Sequence, residues 1–220
     1  AKWFSHFHDN MPQFENLRPI SFLKKKKLTS FYEKKYLVNR YRLNGGNQFI
    51  SISNETSNFI NSVVSNSFNV IKLSNAINFY KFTTNEPKFF SKSFRIINVG
   101  SFQKLKNQKL LVEIAEILLK KNLLFEINFI GAGDELSNVK KMVQERGLEN
   151  HINFHGLVHN VETYLANADI YVHCAYSEAF GLVLLEAMAA GLPVVTLDGK
   201  GNRDLIEEGK NGYMIYEQDA

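Results

Sequence analysis

Cysteine is almost absent from this sequence of 220 residues, which contains only Cys174. A single cysteine excludes an internal disulfide framework and fits a reducing compartment. Cys174 falls within an apparent strand from Asp169 to Ala175, so we expect it to be buried rather than catalytic. The chain also lacks an apolar run long enough to span a bilayer and a secretory signal at its start. We therefore expect a cytoplasmic protein.

An initial methionine is missing as well, and the chain opens with an apparent strand at Trp3 to Phe7. This start predicts that the sequence is an excerpt of a longer protein. Histidines with metal-ligand spacing are also lacking, because His155, His159 and His173 follow no ligand motif. We expect neither a metal nor another cofactor.

Acidic residues are scarce in the first part of the chain. Residues 1–92 carry 14 Lys and Arg against 5 Asp and Glu, whereas residues 93–220 carry 12 against 17, within a net charge of +4. The two parts therefore predict different partners. No nucleic-acid-binding module is recognisable, so nucleic acid is not the partner we expect for the basic part.

A basic helical stretch is predicted from Ser21 to Leu43, with lysines interleaved between Leu, Phe and Tyr. Such a pattern is typical of a surface that binds anionic lipid headgroups at a membrane. The lysines concerned are Lys24, Lys25, Lys26, Lys27, Lys34 and Lys35. The alternative is a solvated basic face over an ordinary core.

From Phe94 onward, short apolar runs alternate with helical patterns. The predicted strands are Arg95–Val99, Phe125–Ile130, His151–Phe154, Ile170–His173, Val194–Leu197 and Tyr213–Tyr216. The predicted helices are Asn107–Lys121, Glu135–Arg146, Val161–Ala166, Gly181–Ala190 and Arg203–Glu207. Strict alternation predicts an α/β fold with a doubly wound parallel sheet, which binds ligands at the carboxyl ends of its strands.

The first part of the chain is less regular. Short strands at Phe49–Ser53 and Asn69–Leu73 flank a helix at Glu55–Ser65, which indicates the latter part of a second Rossmann-like domain. We place this N-terminal domain at residues 1–84, a polar linker with a proline at 85–93, and the C-terminal domain at 94–220.

The stretch SEAFGLVLLEAMAAG, which begins at Ser177, places Glu178 and Glu186 eight residues apart around a helix start. The helix should begin near Gly181, where the first N–H groups have no acceptor four residues back. Free N–H groups and the helix dipole favour an anion such as a diphosphate. Two flanking carboxylates suit a ligand with hydroxyls on both sides of its phosphates, as in a nucleotide sugar. The alternative is an ordinary strand-loop-helix whose apolar run is core.

This motif resembles the E-x7-E signature of retaining glycosyltransferases with the GT-B fold, family 4 in particular (glycosyl transferases group 1). Further segments are similar to family motifs, namely Ile97–Gly100 with Lys106 and Asn107, Phe129–Gly133, Phe154–Val158 and Gly201–Gly212. The similarity covers about Phe94 to Ile215 well and Ala1 to Lys92 loosely. It departs at Ser101, where the family has an arginine for which Lys104 or Lys109 could substitute.

The resemblance implies a role for each matching residue. Glu178 would contact the hydroxyls of the donor sugar, Glu186 would accept from the ribose hydroxyls, and Lys106 would hold the donor phosphates. His8, at the end of the first strand, would face the reaction centre, so we expect His8, Lys106 and Glu178 to be catalytic. The other expected donor-binding residues are Gly100, Ser101, Gly131, Gly133, Gly156, Leu157, Val158, Ala179, Phe180, Gly181 and Leu182. Each of these residues also has an ordinary alternative role, in a tight turn, a helix cap or a solvated face.

The resemblance implies a metal-independent retaining hexosyltransferase. It would move a sugar from a nucleoside-diphosphate sugar to a glycan or lipid-linked acceptor in cell-envelope polysaccharide synthesis. The piece of 220 residues is itself expected to be inactive, since parts of both domains are missing. Two alternatives stay open. One is an NAD-dependent Rossmann oxidoreductase, although Leu136 stands where its third glycine belongs; the other is an inactive nucleotide-sugar-binding relative, which Ser101 favours.

Overall fold

The structure, a computed structural model, describes residues 5–7, 48–63, 69–83 and 92–216. The chain divides into two compact units, Ala1–Asn75 and Ala76–Ala220. The predicted helix Ser21–Leu43 with its six lysines, the residue His8 and most of the predicted linker 85–93 lie outside the described residues.

The first unit contains a parallel sheet of three strands in the order β1–β2–β3. The strands are Ser5–Phe7, Gln48–Ser51 and Asn69–Lys72. Helix α1 (Asn54–Val63) joins β2 to β3, and Ser53 caps it because its hydroxyl accepts the N–H of Thr56 at 3.2 Å. Phe49 and Ile60 are buried. This strand-helix-strand arrangement is the one expected for part of a Rossmann-like domain.

The second unit is built on a parallel sheet of six strands in the order β6–β5–β4–β7–β8–β9. The strands are β4 (Phe94–Val99), β5 (Phe125–Ile130), β6 (Ile152–Gly156), β7 (Ile170–His173), β8 (Val194–Leu197) and β9 (Gly212–Ile215). The chain adds β5 and β6 on one side of β4 and then β7, β8 and β9 on the other. The switch point of the sheet therefore falls between β4 and β7, where α/β proteins bind their ligands.

Five helices connect or cover these strands within the described part of the second unit. They are α2 (Phe79–Phe82), α3 (Gln108–Lys120), α4 (Leu136–Glu145), α5 (Val161–Ala166) and α6 (Leu182–Ala189). Short 3-10 turns lie at Lys104–Lys106 and Gly201–Asp204. Across the described ranges, no helix combines the length and apolar character that crossing a membrane requires.

Apolar side chains cover both faces of the six-stranded sheet. Successive residues of β4 point to opposite faces, so Ile96 enters one core and Ile97 the other. Helices α3 and α4 complete the first core with residues such as Leu111, and α2, α5 and α6 complete the second with residues such as Leu184. Because both faces are packed with apolar groups, polar chemistry is concentrated in the loops at the strand ends.

Most of the predicted elements are confirmed to within two residues, and β5, β7, β8 and α5 have their predicted bounds. The predicted helix Arg203–Glu207 is wrong, because a 3-10 turn covers Gly201–Asp204 instead. Asn202 explains the difference. Its side-chain oxygen accepts the N–H of Gly199 at 3.0 Å, and its amide donates to Thr196 Oγ1 at 2.8 Å. These bonds tie the segment to the end of β8 and hold it in a tight turn.

The division between the two units lies earlier than the boundary we expected from the sequence. The second unit begins at Ala76, whereas the sequence pattern places residues 76–84 in the N-terminal domain. The reason is helix α2, which packs against α5 and α6 and buries Phe82 in their core.

Candidate functional site

The loops that follow β4, β5 and β6 are joined by backbone hydrogen bonds at the carboxyl edge of the sheet. The N–H of Gly131 donates to the Gly156 carbonyl at 2.8 Å, and the N–H of Gly100 donates to the Ile130 carbonyl at 3.0 Å. We call this row the backbone edge, and it comprises Gly100–Phe102, Gly131–Gly133 and Gly156. The structure thus brings together five of the predicted donor-binding residues, Gly100, Ser101, Gly131, Gly133 and Gly156.

Lys106 ends the 3-10 turn after β4, at the switch point of the sheet. Asn107 follows in the left-handed conformation, with φ 50°, and turns the chain into α3. The N–H of Tyr176 donates to the Leu105 carbonyl at 2.9 Å, which fixes this turn to the loop after β7. The bond brings two predicted catalytic residues together, with Lys106 Nζ 2.6 Å from Glu178 Oε2.

The main chain of Glu178 is held by the loop after β8. Its N–H donates to the Gly199 carbonyl at 2.9 Å, and its own carbonyl accepts the N–H of Gly201 at 2.9 Å. The approach at Gly201 leaves no room for a side chain, because a Cβ there would lie 2.2 Å from the carbonyl oxygens of Glu178 and Ala179. The position of Glu178 therefore depends on a glycine in the next loop.

The carboxyl group of Glu178 is ionised at neutral pH. Burial would raise its pKa, but a hydrogen bond from His173 Nε2 at 3.1 Å and the charge of Lys106 lower the pKa to about 2. An ionised carboxylate only accepts hydrogen bonds. Glu178 can therefore accept hydrogen bonds from the hydroxyl groups of a ligand.

Helix α6 begins at Leu182, directly after Gly181, which confirms the predicted helix start. Gly181 has φ 97°, a conformation that side chains disfavour, and a Cβ there would lie 2.7 Å from Leu184 Cδ1. The first N–H groups of a helix lack intrahelical acceptors, so this end carries partial positive charge. An anion-attracting helix end therefore follows Glu178 by four residues.

Glu186 lies about one turn into α6 and is half-buried. Burial raises the pKa of its carboxyl group above the ordinary value. The charge of the nearby Lys81 lowers this pKa, and that of Glu162 raises it. Lys81 Nζ is itself 3.3 Å from Glu162 Oε2. The two glutamates of the motif thus have different charged neighbours, Lys106 for Glu178 and Lys81 with Glu162 for Glu186.

Ser101 occupies the position where the family motif has an arginine. Its side chain is exposed, and its carbonyl accepts the side-chain amide of Gln108 at 3.0 Å. Lys109, one of the two proposed substitutes, pairs with Glu135 at 3.1 Å. Lys104, the other, is exposed on the 3-10 turn that carries Lys106.

The remaining predicted donor-binding residues differ in how far they reach solvent. Leu157 and Leu182 are exposed, whereas Ala179 is half-buried. Val158 packs against the core under α5 and α6, and Phe180 is buried. A ligand could therefore meet the side chains of Leu157 and Leu182, whereas Phe180 is enclosed.

Two other expectations concern reactive side chains. Cys174 is buried as predicted, and burial raises the pKa of its thiol to about 12. Among the His, Cys, Asp and Glu side chains of residues 5–7, 48–63, 69–83 and 92–216, no three are grouped as metal ligands would be.

The sequence did not identify Tyr171 and His173 as supports for Glu178. Strand alternation places both residues on the same face of β7, which is visible in the sequence. The return of the loop, which brings Glu178 back against His173, is not visible there. Lys81 was missed because it precedes the expected start of the C-terminal domain.

A doubly wound parallel sheet with an ammonium and a carboxylate at its switch point defines an α/β protein whose expected ligand site lies at that point. Residues 80–220 match the family Glycosyl transferases group 1. The chain belongs to this family, which confirms the resemblance to glycosyl transferases group 1.

One relative and two solved structures show how far the similarity extends. Poly(ribitol-phosphate) alpha-N-acetylglucosaminyltransferase of Staphylococcus aureus (strain COL) is 31% identical over 151 residues, which are 68% of this chain and 30% of that protein. A mutant of S. aureus TarM, solved in complex with fondaparinux, alpha-GlcNAc-glycerol and UDP, has a TM-score of 0.75 at 26% identity over 98% of this chain and 41% of that one. Anabaena HepE, solved with UDP and glucose, has a TM-score of 0.77 at 19% identity over 100% of this chain and 59% of that one. The GT-B fold class is confirmed, and the chain spans less than two thirds of each of these proteins.

Proposed function

We propose that the protein containing this chain is a retaining, metal-independent glycosyltransferase that uses a nucleoside-diphosphate sugar. Residues 94–216 would bind the donor. The observation that carries the proposal is the contact of 2.6 Å between Lys106 and Glu178 at the switch point, close to the start of α6. Membership of the glycosyltransferase family supports the same chemistry.

The proposed mechanism assigns a group of the protein to each part of the donor. A departing nucleoside diphosphate gains negative charge, which fixed positive groups stabilise. The Lys106 ammonium and the first N–H groups of α6 supply them. A diphosphate would compete with Glu178 for Lys106, and Glu178 would accept hydrogen bonds from the donor sugar. Glu186 would accept from the ribose hydroxyls, and the family resemblance assigns His8 to the donor sugar as well.

A glycan or lipid-linked acceptor in cell-envelope polymer synthesis is the acceptor we propose. The S. aureus relative, named for poly(ribitol-phosphate), supports this class. We place the protein in the cytoplasm at the membrane surface, attached through Lys24, Lys25, Lys26, Lys27, Lys34 and Lys35. Sedimentation with vesicles tests the attachment. Binding should require an anionic lipid and should disappear when these lysines become glutamine, whereas equal binding to neutral vesicles would exclude it.

Calorimetric titration of the 220-residue chain tests the donor site. The ligands are UDP, GDP, UDP-glucose, UDP-N-acetylglucosamine, GDP-mannose and NAD. We expect one nucleoside diphosphate to bind and Glu186→Ala to weaken that binding. The matched control is Glu145→Ala, at the exposed end of α4, which should bind like the wild type. Binding of NAD alone would overturn the proposal and favour an oxidoreductase.

Transfer by the full-length protein tests the reaction itself. Sugar transfer should persist in the presence of a strong chelator, because no step of the proposal uses a metal. The anomeric configuration of the product, read by proton NMR coupling, should equal that of the donor sugar. Inversion of the configuration or loss of transfer with the chelator would contradict the corresponding part of the proposal.

A donor-binding relative without transferase activity is the second candidate. Ser101 favours it, because one of the cations that the family motif places beside the phosphates is absent from this position. This candidate predicts that the full-length protein binds a nucleotide sugar but transfers the sugar neither to water nor to an acceptor. Ser101→Arg should then raise donor affinity.

A further inference from the structure

A row of hydrogen bonds connects the interior of the sheet to the carboxylate of Glu178. Tyr171 Oη lies 3.1 Å from the Val99 carbonyl and 3.2 Å from His173 Nδ1, and His173 Nε2 lies 3.1 Å from Glu178 Oε2. Tyr171 is fully buried and His173 is 3% exposed. We propose that His173 is a positioning residue that fixes the Glu178 carboxylate for the donor sugar, with Tyr171 orienting its ring. The inference rests on the proposed function.

The protonation of His173 follows from the geometry. Glu178 is ionised and can only accept, so the hydrogen bond requires a proton on Nε2. The hydroxyl of Tyr171 has a single proton, which it donates either to the Val99 carbonyl or to Nδ1. In both arrangements Nε2 carries a proton and points at Glu178. Tyr171 thus fixes the ring plane, as a residue behind a functional histidine does in other sites.

Burial distinguishes His173 from Lys106, although both contact the same oxygen of Glu178. The Lys106 side chain is 26% exposed, the Glu178 side chain 13% and the His173 side chain 3%. Lys106 therefore approaches from the side of the solvent, and His173 approaches from the interior. A diphosphate that draws Lys106 away would leave His173 as the donor that keeps Oε2 in place.

The main chain does not make this contact redundant. The bonds to Gly199 and Gly201 fix the backbone of Glu178. They leave its side-chain torsions free, so only contacts of the carboxylate itself can fix these torsions. A carboxylate that binds sugar hydroxyls has to be held near its productive geometry. His173 supplies this constraint from a rigid element, the last residue of β7.

Paired variants of His173 in the full-length protein test the inference. Glutamine can place its amide nitrogen where Nε2 lies, whereas asparagine reaches only the position of Nδ1. We expect His173→Asn to lower kcat with UDP-sugar by about 10- to 100-fold, the effect of losing one hydrogen bond to a charged group. His173→Gln should recover most of kcat, and Tyr171→Phe should have an intermediate effect. Calorimetric affinity for UDP alone should stay unchanged in all three. The matched control is His151→Asn, because His151 stacks on Phe125 at the opposite end of the strands.

Nitrogen-15 NMR of histidine-labelled protein reads the hydrogen bond without any donor. We expect a protected downfield Nε2–H signal from His173 that Glu178→Ala removes. Absence of this signal overturns the inference, and so does an unchanged kcat in His173→Asn. Parallel loss of kcat and UDP affinity in both His173 variants also overturns it, since that pattern indicates general disruption. If the signal is present but no nucleoside diphosphate binds the wild type, the proposed function fails while the contact between His173 and Glu178 stands.

Discussion

Lys106 and Glu178 are 72 residues apart in the sequence, yet Nζ and Oε2 lie 2.6 Å apart in the structure. The pair joins the turn after β4 to the loop after β7, the two strands that flank the switch point. The bond between Tyr176 and Leu105 joins the same two segments through the main chain. A ligand could therefore exchange the partner of Lys106 without separating the segments.

Removal of the Lys106 ammonium should weaken binding of a nucleoside diphosphate. Lys106→Ala removes one charged hydrogen-bond donor, and we expect affinity for UDP, measured by calorimetry, to fall by about 10- to 100-fold. Lys120→Ala serves as the control, because Lys120 forms a surface ion pair with Glu116 at 2.7 Å. Equal affinities in the two variants would contradict the assignment of Lys106 to the phosphates.

Alanine substitutions at Gly201 and Gly100 should have different effects on stability, because the first position is tightly packed and the second has open space around it. Gly201→Ala places a methyl group against the carbonyls of Glu178 and Ala179, and it should lower the free energy of unfolding by about 1–3 kcal/mol. Gly100→Ala meets no atom within 4 Å and should change it by less than about 0.5 kcal/mol. Urea denaturation measures both. A destabilisation of Gly100→Ala as large as that of Gly201→Ala would show that the packing is not as described.

Acid should remove the stability that ionised Glu178 contributes. Its pKa in the folded chain, about 2, is below the ordinary value of 4.5, so the contribution is complete above pH 4.5 and is lost as the pH falls toward 2. Glu178→Gln does not titrate, so its free energy of unfolding should fall less steeply between these pH values. Urea denaturation across the range measures the two slopes. Parallel curves for variant and wild type would show that Glu178 is not held as an ion.

The thiol of Cys174 should resist alkylation in the native chain. It is buried, and a pKa of about 12 leaves almost no thiolate at pH 8. Iodoacetamide should label it fully in urea and very slowly in buffer, as mass spectrometry can measure. Because the chain has one cysteine, the native rate reports opening of the region around β7. Fast and complete labelling in buffer would contradict its burial.

The sequence contained enough information for the strands of the second unit. In Phe125–Ile130 the polar residues Glu126 and Asn128 alternate with apolar ones, and Gly131 follows directly, so β5 could be predicted to the residue. The helix expected at Arg203–Glu207 could not be corrected from its pattern, because the turn there depends on contacts that Asn202 makes with β8. Local pattern predicts an element well where local packing decides it, and poorly where a distant loop does.

The residues of the candidate site also fall into two groups, those that the sequence predicted and those that it did not. Glu178 and Lys106 were predicted because motif resemblance supplied their proximity, which spacing alone does not contain. His173 and Lys81 were missed, since their relation to the two glutamates arises only when a loop returns and α2 packs on α5 and α6. The alternation of side chains along a strand places Tyr171 and His173 on one face of β7. It does not indicate that this face contacts Glu178.

The backbone edge has a consequence for how such proteins diverge. Its shape comes from main-chain atoms, with the N–H of Gly131 bonded to the carbonyl of Gly156 and the N–H of Gly100 bonded to that of Ile130. Exposed side chains such as that of Leu157 lie beside the backbone edge and take no part in these bonds. After gene duplication, exchanges at such exposed positions can therefore alter the surface that a ligand meets while the main-chain frame keeps its form.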